Sequence, residues 1–272
     1  MRKGNPMRFK ALLALAATVF ALKIPALPIL HASGPTSGAS TDHPAVLLEL
    51  FTSEGCSSCP PADAFLKALD DAGRVDDVEI IAIEEHVDYW NRLGWTDPFS
   101  SHNWTERQER YARSFHHDGV YTPQLVVNGR SEVVGSSARE ARPQIIEASK
   151  SPTAELHLSL ASLSLQSAKV TIGVENIPPE AHAAELWLAV TERGLASHVL
   201  RGENEGRSLT HAAVLRSLTH VRAQHADAGS AKATNHVALD PSWKRENLRF
   251  VVFLQEPKTL HIFGAAAASI SH

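Results

Sequence analysis

The chain has 272 residues, 43% of them hydrophobic and 21% charged, with a formal net charge of -4. That length supports one large domain or two smaller ones. The mild acidity, with no basic cluster interleaved with aromatics after residue 42, leaves no reason to expect nucleic acid as a partner.

The start is basic, with Arg2, Lys3, Arg8 and Lys10, and an uncharged run from Ala11 to Leu22 follows, closed by Lys23. That run is short for a bilayer span. It fits a secretory signal peptide over residues 1–32, with Leu30-His31-Ala32 or Val19-Phe20-Ala21 as the cleavage match. An uncleaved amphipathic or membrane anchor is the alternative. No later segment reaches the roughly 18 apolar residues of a spanning helix. The expected product is periplasmic or secreted, with no stable membrane span after cleavage. Residues 33–43, rich in Ser, Gly and Thr, read as a flexible linker.

Residues 44–150 read as an α/β domain. Ala45 to Thr52 is a nearly continuous apolar run with Glu49 as the exception, as in a strand covered on both faces. Ser53-Glu54-Gly55 leads into Cys56-Ser57-Ser58-Cys59, which holds both cysteines of the chain. A helix is expected over Pro61–Ala72, with Ala62, Phe65, Leu66 and Leu69 on one face, Asp63 in its first turn and Gly73 at its end. Val78 to Ile83 is a second buried strand. Polar and aromatic residues from Glu84 to Trp90 follow it, then a long loop from Asn91 to Ser101. A helix over 103–115 places Trp104, Tyr111 and Phe115 on one face and forms the i,i+4 pairs Glu106–Arg110 and Glu109–Arg113. Asn128-Gly129 is a hairpin turn between the strands Gln124–Val127 and Ser131–Val134. A last helix runs from Ser137 to Ser149. The order β-α-β-α-β-β-α is that of a thioredoxin-like domain.

Past Lys150-Ser151-Pro152 the pattern changes. Leu156, Leu158 and Leu160 alternate with polar or small residues, as do Val170, Ile172 and Val174, then Leu186, Leu188 and Val190. Phe250 to Leu254 is a dense strand and His261 to Gly264 a short one. Residues 153–272 therefore read as an all-β, sandwich-like domain.

A strand, a C-x-x-C pair and a helix in succession form the layout of a thiol–disulfide redox site. Outside the cytosol such a pair can exist as a disulfide. A thiol attacks only as thiolate, and at an unperturbed pKa only ~3% is ionised at neutral pH. A helix N-terminus can lower that pKa. Cys56, expected to be the more exposed sulfur, is read as the attacking thiol and Cys59 as the resolving one. Thr122-Pro123, just before the hairpin, is read as a cis bond facing the cysteines, with Thr122 receiving substrate backbone. Pro60 and Pro61 fit less well, because they disturb the helix start whose amides would activate Cys56. Glu54 opposes a thiolate as well. His86 and Asp88 follow the second strand, where sites gather in parallel sheets. His86 with Cys56 and Cys59 would suit a soft ion such as Cu(I) or Zn(II), against a plain structural histidine. Trp90, Trp95 and Trp104 are either groove-lining or core. No H-E-x-x-H, Gly-rich phosphate loop or Ser-His-Asp context is present, and no cofactor is expected.

Phe51-Thr52-Ser53-Glu54-Gly55-Cys56-Ser57-Ser58-Cys59-Pro60-Pro61-Ala62-Asp63 resembles the exported bacterial family catalogued as domain of unknown function 1223. His86-Val87-Asp88-Tyr89-Trp90 with Gly94-Trp95-Thr96-Asp97-Pro98-Phe99 is similar to its second signature, and Tyr121-Thr122-Pro123-Gln124 with Asn128-Gly129 to its third. The similarity extends into Asn204-Glu205-Gly206-Arg207 and Phe250 to Gly264. The resemblance implies a thioredoxin-like domain with an added β domain, and an insertion around Trp90 and Trp95 that forms a lid. It implies no activity of its own. Three readings stand. One is an exported thiol–disulfide oxidoreductase acting on a protein or small-molecule thiol or disulfide. Another is a redox-inactive binding module with a structural disulfide, its groove between the aromatic loop and the β domain. The third is a thiol-based copper or zinc carrier.

Overall fold

From residue 44 the chain lays down β1 (Ala45–Thr52), α1 (Pro60–Ala72), β2 (Arg74–Val75), β3 (Val78–His86), α2 (His102–Ser114), β4 (Gln124–Val127), β5 (Ser131–Val134) and α3 (Ala138–Ala148). This computed structural model describes Met1 and residues 44–270 apart from 162, 163, 165 and 228. The signal peptide expected over 1–32 and the linker over 33–43 lie outside the described residues, Met1 aside. β1 runs parallel to β3 on one side and antiparallel to β4 on the other. Both of its faces are covered, which is why its apolar run is nearly unbroken. Leu48, Leu50, Ile80 and Leu125 pack with Leu66 of α1 and Ile145 of α3 on one face. Leu47, Ile81 and Ile83 pack with Trp104 of α2 on the other.

Local chemistry sets the turns. Gly73 ends α1 in the left-handed region, its N–H returning to Leu69 O at 2.9 Å. Asn128 and Gly129 both have positive φ, 47° and 61°, at the centre of a turn closed by the Arg130 N–H on Val127 O at 2.9 Å. A Cβ on Gly129 would lie 1.9 Å from Leu260 O, so only glycine fits there.

The remaining strands are β6 (Glu155–Ala161), β7 (Ser167–Glu175), β8 (Glu185–Glu192), β9 (Leu195–His198), β10 (Ser208–His211), β11 (Val214–Val221), β12 (Gln224–Asp227), β13 (Ser230–Ala238), β14 (Leu248–Gln255) and β15 (Ile262–Ser269). A four-stranded sheet, β12-β13-β7-β6, packs on β8, β14 and β15 through Leu156, Ile172, Val190, Phe250 and Phe263. The fold is thus an α/β region followed by a mostly β, sandwich-like and unclosed region. β9 and β10 form a separate two-stranded ribbon.

The regions share a sheet of order β15-β14-β8-β11-β3-β1-β4-β5, with β2 beside β3. The seam is narrow. Val214 of β11 pairs with Glu84 of β3, and the Glu84 N–H donates to Ala213 O at 2.8 Å. The described residues from 44 onward belong to one compact unit. No helix among them is long and apolar enough to cross a membrane.

Some boundaries depart from the sequence pattern. α1 starts at Pro60, one residue early. β3 continues past Ile83 through Glu84, Glu85 and His86, all buried; hydropathy ended it too soon because distant residues, His211, Arg107 and Asp97, meet these polar side chains inside the fold. β15 continues to Ser269 on a run of alanines that gives no alternation. The loop after β3 contains a 3-10 turn over Asn91–Leu93.

Candidate functional site

The C-x-x-C segment bridges the end of β1 and the start of α1. Cys56 and Cys59 form a disulfide with Cα atoms 5.4 Å apart. Cys59 caps α1, and Pro60 and Pro61 occupy its first two positions. Prolines have no N–H to offer. The next two amides, of Ala62 and Asp63, donate to Cys59 O at 2.8 and 3.1 Å. No first-turn amide is therefore left for a sulfur. The Thr122–Pro123 bond is cis, as expected, and it stands against the pair. Thr122 Oγ1 is 3.3 Å from Cys56 Sγ, and Ser58 Oγ is 3.3 Å from the same sulfur. The Thr122 carbonyl oxygen lies 4.0 Å from it as well.

Against the expectation that Cys56 is the more exposed sulfur, both cysteines are fully buried, at 0%. The cover comes from the β9–β10 ribbon and its connecting loop. Asn204, itself buried, donates through Nδ2 to Glu54 O at 2.8 Å and Cys56 O at 2.9 Å. Glu203 Oε2 accepts the Ser57 N–H at 3.0 Å. Ser57 and Ser58, between the two cysteines, stay exposed. The expected lid residues clamp the site from the other side. Trp90 Nε1 donates to Thr122 Oγ1 at 2.8 Å, and Trp95 Nε1 donates to Glu54 Oε2 at 2.8 Å. Trp104, by contrast, is core.

Next to the pair lies a buried polar network that the sequence pattern did not reveal. His86 Nδ1 faces Asp97 Oδ2 at 2.7 Å, and Asp97 Oδ2 also accepts the Glu54 N–H at 2.8 Å. His211, at the end of β10, faces Glu84 Oε1 through Nδ1 at 2.7 Å and Glu54 Oε1 through Nε2 at 3.0 Å. Ser197 Oγ donates to Glu54 as well. Burial opposes charge on His86, but Asp97 and Glu84 outweigh it and hold its pKa well above the usual range. The same contest, won by Glu84 and Glu54, sets His211 at about 9. Burial also opposes charge on Glu84 and Asp97, yet the two imidazoles hold Glu84, and His86 holds Asp97, below the carboxylate range. Asp63, one turn past Cys59 in α1, accepts from Thr52 Oγ1 at 2.5 Å. Burial and then Glu84 push it up to about 7.

His86 thus turns to Glu84, His211 and Asp97. Asp88 belongs elsewhere: it accepts from Thr105 Oγ1 at 2.6 Å and meets His102, at the start of α2. The signal for Glu84 and His86 was their alternate placement on one strand face; His211, far along the chain, had none. A second buried cluster docks α2. Arg107 Nε donates to Glu49 Oε1 at 2.7 Å, Tyr111 OH to Glu49 Oε2 at 2.5 Å, and Arg107 Nη1 to Gln255 Oε1 of β14 at 3.1 Å. This is why the single charge in β1 is tolerated. Beside α2, a cavity of about 590 Å³ is lined by Phe99, Trp104, Arg110, Trp187, Arg216 and Trp243.

The family described as Protein of unknown function (DUF1223) matches residues 47–255. The crystal structure of protein AGR_C_4864 from Agrobacterium tumefaciens is similar over 86% of this chain and 100% of its own, at 27% identity and a TM-score of 0.61. HBP35 of Porphyromonas gingivalis shares the fold over 85% of this chain and 76% of its own, at 15% identity and a TM-score of 0.60. No curated protein matches the chain.

Proposed function

The chain belongs to the DUF1223 family, and on that premise we propose that it is an exported thiol–disulfide oxidoreductase whose cysteine pair is capped in the oxidised state. The observation that carries this reading is Thr122, the residue before cis-Pro123, with its hydroxyl 3.3 Å from Cys56 Sγ. A substrate thiolate attacks Cys56 Sγ, forms a mixed disulfide and releases Cys59 as thiolate. A second substrate thiolate then attacks the substrate sulfur and releases Cys56. The pair gains two electrons and the substrate dithiol becomes a disulfide. In reverse, Cys56 attacks and Cys59 resolves. Asp63, one turn past Cys59 and titrating at about 7, is the group we assign to exchange a proton with the Cys59 thiolate. Thr122 and Pro123 receive the substrate backbone, and Trp90 and Trp95 border it. Access requires the loop carrying Glu203 and Asn204 to move. Export to the periplasm or beyond rests on the basic start and the apolar run after it.

The complete burial of both sulfurs favours a second reading, a binding module with a static disulfide whose ligand occupies the 590 Å³ cavity beside α2. One experiment divides them. The protein is held in millimolar glutathione buffers, then alkylated and weighed, alongside an insulin-reduction assay. The oxidoreductase shows a pair that opens, and turnover that Cys56→Ser abolishes. A pair that stays closed, with no turnover, supports the second reading.

A further inference from the structure

Glu84, His86 and His211 converge beneath the cysteine loop. Glu84 and His86 are two apart on β3 and share a strand face; β10 brings His211 onto them. Glu84 Oε1 is 2.7 Å from His211 Nδ1 and 3.3 Å from His86 Nε2, and the three atoms lie within 4.8 Å of one another. All three side chains are buried. His86 Nε2 has no hydrogen-bond partner. The far nitrogen of each ring faces its own carboxylate, Asp97 for His86 and Glu54 for His211. If those carboxylates accept the ring N–H groups, the inward nitrogens present lone pairs to one another and to the Glu84 oxygen. Such a convergence is met either by protons on the two rings or by a cation at its centre. No lysine or arginine among the described residues pairs with Glu54, Glu84 or Asp97.

We propose that Glu84, His86 and His211 form a buried site for a divalent transition ion of the zinc class. Two imidazoles and a carboxylate suit Zn²⁺, whose bonds of about 2.0–2.2 Å set donor–donor edges near 3.3 Å in a tetrahedron. The Glu84–His86 separation already has that value; the Glu84–His211 edge opens slightly. Asp97 and Glu54 are the outer carboxylates that orient a ligating histidine. Phe99 packs edge-on against both rings and closes the site. The ion joins β3 to the β9–β10 ribbon and so fastens the cover over Cys56. The site is distinct from any thiol-based site and holds whether or not the pair turns over.

The test strips the full chain with chelator and titrates it with Zn²⁺ by calorimetry and with Co²⁺ by visible absorption. One ion per chain with a tetrahedral Co²⁺ spectrum is expected. Uptake is lost in Glu84→Gln and His211→Ala, falls about 10- to 100-fold in Asp97→Asn, and persists in the Cys56→Ser, Cys59→Ser double variant. Persistence in His157→Ala separates it from the surface trio Glu155, His157 and Glu175, of which His157 is half-buried. X-ray absorption of the wild-type Co²⁺ form needs no variant: a shell of nitrogen and oxygen including two imidazoles supports the site, and a sulfur ligand overturns it. No uptake, or uptake that depends on His157, overturns it too, leaving the two imidazoles balanced by protons alone.

Discussion

Asn204 holds the cover with two hydrogen bonds to backbone carbonyls, of Glu54 and Cys56. Asn204→Ala removes both and costs about 1–3 kcal/mol. The larger expected effect is kinetic: the disulfide opens at least several-fold faster in dithiothreitol, read by timed alkylation and mass spectrometry. An unchanged rate would show that reductant enters past the tryptophans instead. Asp63 makes a pH prediction. Its folded pKa of about 7 exceeds the ordinary 3.8, so the folded chain keeps a proton the unfolded chain has released. Its contribution therefore penalises folding as pH rises from about 4 to about 7, by on the order of 4 kcal/mol in full. Thr52 from β1, Glu84 and His86 from β3 and His211 from β10 face it. Asp63→Asn keeps an acceptor for Thr52 and removes the titration. In chelator-treated protein, the fall in Tm between pH 5 and pH 8 is expected to be smaller in the variant. Asp63 was readable from sequence as a helix-start acid, a solvated role; its burial was not, because the residues that enclose it come from three other elements.

Among the elements, α2 depends on one cation. Arg107 is buried against Glu49, with Glu85 beside it at 3.4 Å and Gln255 reaching across from β14. Glu85 is held well above the carboxylate range, first by burial and then by Glu49, against the pull of Arg107. Removing one partner of a buried pair leaves the other uncompensated, so Arg107→Ala is expected to cost about 3–5 kcal/mol in urea unfolding. A loss under 1 kcal/mol would mean that Glu49 takes up a proton at little cost. The main strands and helices of the α/β region were legible from nearly unbroken apolar runs at β1 and β3, the 3.6 period of the helices, and Asn-Gly at the hairpin. The ribbon β9–β10 was not, since its four-residue strands are short and its burial comes from the site it covers. Glu49 stood out as the polar interruption of an apolar run, and it marked a buried partner, Arg107, rather than a strand end.

For the molecule as a whole, the shared sheet decides how it unfolds. The β11–β3 seam holds one residue pair, but Asp70 of α1 also meets Arg193 at 2.7 Å and Arg249 at 3.2 Å, and Arg107 reaches Gln255. Calorimetry is expected to show one transition whose van't Hoff and calorimetric enthalpies agree. Two separated transitions would show that the regions melt independently. The change of pattern near Lys150-Ser151-Pro152 falls between α3 and β6. The sheet that joins them was not readable, because β8, β11 and β14 carry the same alternation whether they close a separate sandwich or extend a neighbour.

The two prolines that open α1 have an electrochemical consequence. A strongly oxidising pair owes its potential to a well-stabilised reduced form, and helix amides are a usual source of that stabilisation. Here Pro60 and Pro61 supply none, the next two amides are spent on Cys59 O, and Glu203 carries negative charge close by. The dithiol should hold its electrons weakly, near the thioredoxin end of the scale at about -270 mV rather than the -120 mV of the strong bacterial oxidant. On the proposed reading, the opened pair then favours giving electrons away over taking them.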